Sequence, residues 1–308
     1  MNPVNTQPYN LPDDATWLIT GCSSGIGREL ASLIAHHPSH RLIATARDPT
    51  QLSYLPSTPN ILKLPLDVTS PASVHDAFAA AAAAASHFGG GALRLDVVVN
   101  NAGYELQGDT ESATEAQAHD QVETVFFGSA RVTMKAVEVM RRSESGSGAG
   151  RPRGGVVVQV SSLAGQCAFA GQSYYHAAKW ALEGFTESVA REMRPDWNIN
   201  FCLVEPAGVK TNFERSSKKF TERHPAYAAP DCPTRQIEVM VKKGNEAGHG
   251  MAPEDVARTI YHVVSRGQQI PLRVPLGPIA WGLIKKKSDG LVKDLEDIKE
   301  ISLMSHSS

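Results

Sequence analysis

The sequence predicts an α/β protein, a single doubly wound domain with a parallel sheet of about seven strands, a lid insertion after strand six and a C-terminal helical extension. Three observations carry this. Short apolar runs recur at 16–20, 42–46, 61–66, 95–99, 155–160, 198–204 and 270–274, and segments with helical spacing separate them, as strand–helix–strand crossovers require. The run at 95–99 is continuously apolar, as expected of a strand covered on both faces. The first run leads through a glycine turn directly into a helical pattern. At 308 residues and 42% hydrophobic content the chain can bury a large core. The expected organisation is a leader at 1–15, the main domain at 16–275 with its lid at about 212–250, and an extension at 276–308.

The leader is polar and proline-bearing and lacks the apolar core of a signal peptide. Strand one, TWLIT, runs into Gly21-Cys-Ser-Ser-Gly25-Ile-Gly27, and a helix with Leu30, Leu33 and Ile34 on one face follows. This geometry binds a pyrophosphate, because glycines let the backbone approach the phosphates while free N–H groups and the helix dipole face the charge. Gly21, Ser23, Ser24, Gly25, Ile26 and Gly27 are therefore candidate cofactor residues. Their spacing is GxxxGxG rather than GxGxxG. Strand two ends in Ala46-Arg47-Asp48. An acidic residue at the strand tip would bind a ribose hydroxyl and repel a 2′-phosphate, whereas Arg47 attracts that phosphate, so NADP is expected over NAD. Asp48 next door could neutralise the arginine.

Strand three ends in Asp67-Val68-Thr69, where Asp67 can accept a hydrogen bond from an adenine amino group or cap the next helix. Thr69 and Ser70 are equally good caps. An alanine-rich helix spans 71–87, and Gly89, Gly90 and Gly91 end it. After strand four, Asn100-Asn101-Ala102-Gly103 can brace the sheet and approach the cofactor's adenosine side. A helix is expected over 116–142, followed by an exposed Ser/Gly/Arg-rich loop with no assigned chemistry. Strand five delivers Ser161 and Ser162, and a helix over 173–194 follows. Strand six leads into 205–211, where Pro206, Gly208, the Val209 backbone and the Thr211 hydroxyl can meet a nicotinamide carboxamide. The polar, irregular stretch from 212 to 250 lies where a substrate lid belongs. A helix at 253–264 and a last strand precede the extension. There Trp281, Leu283 and Ile284 face Lys285, Lys286 and Lys287, a cluster suited to closing over the cleft or packing at the surface, with membrane contact the weaker reading.

The stretch SSLAGQCAFAGQSYYHAAK, 161–179, carries the chemistry. Tyr175 and Lys179 are four apart, so a helix stacks them on one face. Free tyrosine, with a pKa of about 10, is roughly one part in a thousand ionised at neutral pH. A neighbouring cation stabilises the phenolate, and a shift of two to three units takes roughly 3 to 4 kcal/mol, within reach of a partly desolvated lysine plus a second positive group, which an oxidised nicotinamide ring could be. Ser162, at the end of a strand, can hydrogen-bond a substrate carbonyl. Polarised carbonyl, proton donor and tuning cation suit hydride transfer. A Tyr and a Lys at this spacing also occur by chance, so the pair draws its meaning from the other motifs.

Composition excludes other classes. Net charge is −2, with Lys+Arg 30 against Asp+Glu 32, so no overall field recruits nucleic acid or an acidic membrane, and the expected partner is a small molecule. Cys22, Cys167, Cys202 and Cys232 have no metal-ligand spacing, which predicts no metal and a reducing, cytoplasmic setting.

TGCSSGIG at 20–27, NNAG at 100–103, SS at 161–162 and YHAAK at 175–179, in this order, resemble the short-chain dehydrogenase/reductase family over roughly 15–275. The TGCSSGIG form and the long tail are similar to the steroid- and retinol-dehydrogenase-like branch and related fungal reductases. The resemblance implies a Rossmann-type domain with a nicotinamide cofactor. It also implies that Ser162 holds the substrate oxygen, Tyr175 gives or takes its proton, and Lys179 tunes the tyrosine and binds the nicotinamide ribose. Family members form homodimers or homotetramers through two long helices, here about 116–142 and 173–194. One position departs from the pattern. The family carries an asparagine three residues before a glycine in the helix after NNAG, holding a water behind the lysine, whereas here Val125 precedes Gly128. The relay is then rebuilt from neighbours such as Thr124 or bulk solvent, or proton supply is slow, or redox turnover is not the function.

The leading expectation is an NADPH-dependent reductase of a ketone or aldehyde on a medium to large lipophilic substrate. Tyr104, Gln107, Gln166, Cys167 and Phe169 are the candidate pocket. The alternatives are a non-redox isomerase, cyclase or dehydratase on the same scaffold, and an NADP-binding regulatory protein.

Overall fold

The computed structural model describes residues 3–84, 93–142, 154–210 and 218–304. The chain begins with an irregular segment, then β1 (Thr16–Ile19), α1 (Gly25–Ala35), β2 (Arg41–Ala46), β3 (Ile61–Pro65), α2 (Pro71–Ala83) and β4 (Val97–Asn100). Next come β5 (Glu105–Gln107), α3 (Glu115–Val122), a π-helical turn (Glu123–Phe127), α4 (Gly128–Arg142), β6 (Gly155–Val160), α5 (Ser173–Glu192) and β7 (Ile199–Pro206). The last elements are β8 (Lys218–Phe220), α6 (Pro233–Glu246), α7 (Pro253–Ser265), β9 (Arg273–Leu276), α8 (Gly277–Asp297) and α9 (Lys299–Ser302).

Seven strands form one parallel sheet in the order β3-β2-β1-β4-β6-β7-β9, the Rossmann-type arrangement expected from sequence. Side chains alternate across it. Trp17 and Ile19 of β1 join Leu30 and Ile34 of α1 and Ile260 and Val264 of α7 on one face. Leu18 between them joins Phe78 of α2, Val132 and Met140 of α4 and Val189 of α5 on the other. Both faces are thus covered, which is why these strands read as unbroken apolar runs. The strand order reverses between β1 and β4, and this switch point opens the crevice at the carboxyl ends of the strands where such folds bind ligands.

Three expectations change. The helix expected over 116–142 is interrupted by the π-helical turn, which contains Val125. The widened turn lets Phe126 meet Phe185 of α5 edge-on, with ring centroids 5.8 Å apart, while Gly128 packs so tightly on Val68 that a Cβ would lie 2.7 Å from it. The stretch from 212 to 250 is not irregular throughout. It contains α6, and β8 pairs in parallel with β5 as a separate two-stranded sheet. In α6 the buried side chains are polar, Thr234 and Arg235, while Val239 and Met240 are half exposed, so the helix does not bury an apolar face against the core. Finally, the N-terminal segment is anchored. Asn5 donates to the Phe201 and Ile270 carbonyls at 2.7 and 2.9 Å and accepts from the Phe201 N–H at 2.9 Å, completing the β7 ladder just before β9 begins to pair with it. Residues 85–92 and 143–153, with the glycine run and the Ser/Gly/Arg-rich loop, lie outside the described residues, as does Thr211.

Candidate active site

The turn between β1 and α1 is shaped by close approach. Gly21 and Gly25 have φ of +71° and +57°, which glycine adopts without strain. A Cβ on Gly27 would fall 2.4 Å from both Asn101 Nδ2 and the Gly21 carbonyl oxygen. Asn101 holds the loop in place, its side-chain amide donating to the Thr20 and Gly21 carbonyls at 3.0 and 3.1 Å. Its own N–H and that of Ala102 donate to the Thr20 hydroxyl. Asn101 is thus a strut between β4 and the glycine loop. Asn100 braces the other side, donating to Thr133 of α4 at 2.9 Å.

The N-cap residue of α1, Ser24, makes no side-chain cap bond, and no acidic residue stands in the first turn. The helix therefore presents its orphan N–H groups and positive dipole end to the crevice. A backbone cradle that a Cβ would fill, beside an uncapped helix N-terminus, fits the pyrophosphate of a dinucleotide. Gly21, Ser23, Ser24, Gly25, Ile26 and Gly27 would hold it.

At the tip of β2, Arg47 is exposed, and among the described residues no carboxylate lies within ion-pair distance of it. Asp48 does not neutralise it. The Asp48 carboxylate instead accepts from the Thr50 N–H and hydroxyl at 3.0 and 2.7 Å, and these bonds hold its pKa below the usual carboxylate range. Asp67 binds the Thr69 N–H and hydroxyl through one oxygen, while Ser70 caps α2, so the cap and Asp67 are separate features. Val68 is buried against Gly128, and the Gly103 backbone lies against the Val125 side chain. On the far side of the crevice the segment after β7 is clamped: Lys210 N–H donates to the Met251 carbonyl and Met251 N–H to the Gly208 carbonyl. This fixes Gly208 and Val209 beside Pro206.

Ser162, Tyr175 and Lys179 come together at the carboxyl end of β6. Ser162 has extended backbone, and its hydroxyl accepts from the Ala164 N–H at 3.1 Å and points at the Pro206 carbonyl 3.5 Å away. It is also within hydrogen-bonding reach of Tyr175. Lys179 is buried, and its ammonium donates to the Val160 carbonyl at 2.7 Å and lies 5.7 Å from the Tyr175 ring centroid. Burial pushes the Lys179 ammonium down to about 8, against the opposing pull of Glu183. With the protein's own groups alone the phenol moves the other way. Burial, with the Glu105 carboxylate adding to it, raises Tyr175 above the ordinary tyrosine value, and the Ser162 hydroxyl only partly offsets this. The described groups therefore keep Tyr175 protonated, because Lys179, the cation over its ring, turns its proton toward the Val160 carbonyl.

Behind these residues lies an acid cluster with little sequence signal. Glu183 and Glu205 are buried together. Ser161 donates to Glu183 at 2.5 Å, Gln166 donates to Glu183 and Glu205 at 3.1 and 3.3 Å, and Arg273 donates to Glu183 and Glu187 at 3.0 and 2.9 Å. Gln166, expected to line the substrate pocket, therefore turns its amide away into this cluster. Cys167 and Phe169 instead pack with Leu163 against Ala280 and Ile284 of α8, so the C-terminal extension backs the substrate loop. Lys287 of α8 donates to the Gln166 carbonyl and stacks on Trp180. Tyr104 and Gln107 flank Glu105 on the opposite wall. Glu105 was not expected there, and its only signal in the sequence is an acidic residue between two neutral pocket candidates.

A phosphate cradle at the switch point of a doubly wound sheet, with a serine, a tyrosine and a lysine beside it, defines a nucleotide-dependent oxidoreductase site. The family profile described as short chain dehydrogenase matches residues 15–222, and the chain belongs to that family. It is 57% identical over 303 residues to the oxidoreductase calM of Penicillium decumbens, covering 98% of this chain and 96% of that one. It is 34% identical to retinol dehydrogenase 8 of Bos taurus, over 84% of this chain and 80% of that protein. A crystal structure of a short-chain dehydrogenase from Streptomyces avermitilis is similar at 31% identity with a TM-score of 0.77, covering 94% and 98% of the two chains. The protein is an oxidoreductase of this type on a nicotinamide-binding fold. Among the described residues no helix is long and apolar enough to cross a membrane.

Proposed function

We propose that the chain is an NADPH-dependent carbonyl reductase that converts a ketone or aldehyde of a medium to large lipophilic substrate to an alcohol. The observation that carries this reading is the meeting of Ser162, Tyr175 and Lys179 beside the glycine cradle. In this reading the bound cofactor supplies a hydride to the carbonyl carbon. Ser162 orients the carbonyl oxygen, Tyr175 delivers its proton to that oxygen as the negative charge develops, and Lys179, 5.7 Å from the Tyr175 ring centroid, is the positive charge that would turn from the Val160 carbonyl toward the phenolate left behind. Pro206, Gly208 and Val209 border the nicotinamide side, and Asp67, Val68, Asn101, Ala102 and Gly103 the adenosine side. Arg47, which has no carboxylate partner among the described residues, supports NADP over NAD.

Phe127, Met134 and Trp180 leave large apolar surface exposed on the π-helical turn, α4 and α5. That supports a homodimer or homotetramer through these helices. The four unpaired cysteines suit a reducing, cytoplasmic setting. A non-redox reading draws support from Val125, which is 1% exposed and cannot hold a water by hydrogen bonding.

The deciding assay follows NADPH consumption over a broad ketone and aldehyde panel, with NADH in parallel. Turnover with NADPH, lost in Tyr175→Phe, and an NADPH preference lowered about ten- to hundredfold in Arg47→Leu are expected, since a charge-assisted bond is worth about 1.5 to 3 kcal/mol. Tight NADPH binding without reduction of any panel member refutes the reductase reading. Product formation without NADPH loss supports the non-redox one.

A further inference from the structure

Among the described residues Glu105 is the carboxylate that bears on Tyr175, and contacts to β8 and to the start of α5 hold it in place. It opens β5, where the parallel register sets it opposite Lys218 of β8. The two charges lie 3.7 Å apart with side chains 8% and 4% exposed. Gln172 stands at the N-cap of α5 yet makes no side-chain cap bond to the helix. It spends its amide on Glu105 instead, donating at 2.6 Å. A second tie, from the Gly108 N–H to the Gly171 carbonyl at 2.8 Å, staples the end of β5 to the approach to α5. Gln172 and Tyr175 are three apart at the start of this helix, so a carboxylate fixed on Gln172 sits one turn from the phenol.

The groups around Glu105 favour its charged form: the Lys218 ammonium, the Gln172 amide and the positive end of the α5 dipole. Among the described residues, the other groups packed around Tyr175 have partners of their own. Lys179 of α5 donates to Val160. Ser162 at the end of β6 is a neutral hydroxyl. His176 of α5 is engaged at both ring nitrogens, by the Ala164 carbonyl and the Phe169 N–H.

We propose that Glu105 is a positioning residue whose fixed negative charge keeps the Tyr175 hydroxyl in its proton-donating form and so biases the site toward reduction. It acts through Tyr175 rather than on substrate, and it rests on the reading of Tyr175 as the proton carrier. In the reductive direction the carbonyl carbon takes a hydride from the reduced nicotinamide, the Tyr175 O–H bond breaks, and its proton goes to the carbonyl oxygen. The products are the alcohol, the oxidised nicotinamide and a phenolate beside Glu105. Repulsion between that phenolate and the carboxylate drives prompt reprotonation. In the oxidative direction the phenolate must exist first, and Glu105 opposes it. The raised phenol described above has this charge as its second cause after burial.

The test reads protons rather than turnover. Calorimetric titration of NADP into the full chain, in buffers of different ionisation enthalpy from pH 6 to 10.5, gives the protons released on binding. The Tyr175→Phe difference assigns the part belonging to the phenol. A like charge at this range shifts a phenol by about one unit or more. The Tyr175-dependent release curve of Glu105→Gln is therefore expected about one pH unit below that of the wild type, with Glu105→Asp restoring most of the difference. If Glu105→Gln fails to fold by circular dichroism, Gln172→Ala releases the carboxylate from its anchor and moves the curve the same way by less. Curves that coincide, two flat curves included, or a curve displaced upward, overturn the proposal. A protein that gives the displacement but reduces no ketone or aldehyde loses the reductase reading and keeps this one.

Discussion

Glu205→Gln should flatten the pH dependence of stability, and the structure gives the size. Glu205 is fully buried, and burial followed by the charge of Glu183 pushes its carboxyl up to about 8, with Arg273 opposing. Near neutral pH the Glu183 and Glu205 pair therefore holds one proton, which a neutral Glu205 can donate to Glu183. The unfolded chain releases that proton near the ordinary glutamate value. Because the folded value is the higher one, the native state binds the extra proton. The stabilisation is then complete below the unfolded value and is lost as pH rises through the folded one. Within that window the loss is about 1.4 kcal/mol per pH unit, or about 2 to 3 kcal/mol between pH 6 and 8. For a chain of this size that is roughly 4 to 6 °C in Tm. Glutamine mimics the protonated acid, donates to Glu183 and does not titrate. Thermal melts of both proteins at half-unit steps from pH 5 to 9 cancel every other titrating group in their difference. The variant should gain on the wild type steadily up to about pH 8 and then run parallel to it. A difference constant with pH would refute the shared proton.

Three further outcomes follow from the geometry. Asn5→Ala orphans the Phe201 N–H and carbonyl and the Ile270 carbonyl, all buried, and should cost about 2 to 4 kcal/mol in urea unfolding with the m-value unchanged. Gly27→Ala forces a methyl to within 2.4 Å of Asn101 Nδ2 and the Gly21 carbonyl; overpacking of about 1 to 3 kcal/mol should appear as a lower Tm and at least tenfold weaker binding of nicotinamide cofactor by fluorescence titration. Val125→Asn buries an amide behind Gly103 and should lower stability by about 1 to 3 kcal/mol, while raising kcat if protons reach Lys179 slowly; unchanged kcat with unchanged solvent isotope effect would mean the supply runs elsewhere.

What the sequence revealed of this molecule was whatever is local in the chain. The glycine turn, the pair Tyr175 and Lys179 and the asparagines after β4 are each set by a few consecutive residues. A period of two or of 3.6 then says which way the side chains point. The cofactor-facing ends of the strands were legible for the same reason, because each closes an apolar run. Helix α6 was not, since its inward side chains are Thr234 and Arg235, and the burial of Arg235 depends on Asp109, which donates nothing to the local pattern but accepts at 2.6 Å. The anchoring of Asn5 was hidden in the same way, because its partners sit near residues 201 and 270.

Glu105 shows why the charge around Tyr175 is not legible from the spacing of Tyr175 and Lys179 alone. Spacing identifies Lys179 as a neighbour of the phenol, but a neighbour tunes a group only if its charge is aimed there and nothing nearer opposes it. Lys179 is aimed at Val160, and the opposing charge arrives on β5, held by a residue of α5 and a lysine of β8. The same holds for the rear of the site. The position where the family carries asparagine is filled by Val125, and just behind the active serine lie two buried glutamates and one arginine. Glu205, whose carboxyl is pushed up to about 8, sits against Glu183, and the Glu183 charge bears on Lys179. The protons of Tyr175 and Lys179 are therefore governed by more than the motif: Glu183 lies one turn beyond Lys179 on α5, whereas Glu105 and Glu205 arrive through the tertiary structure.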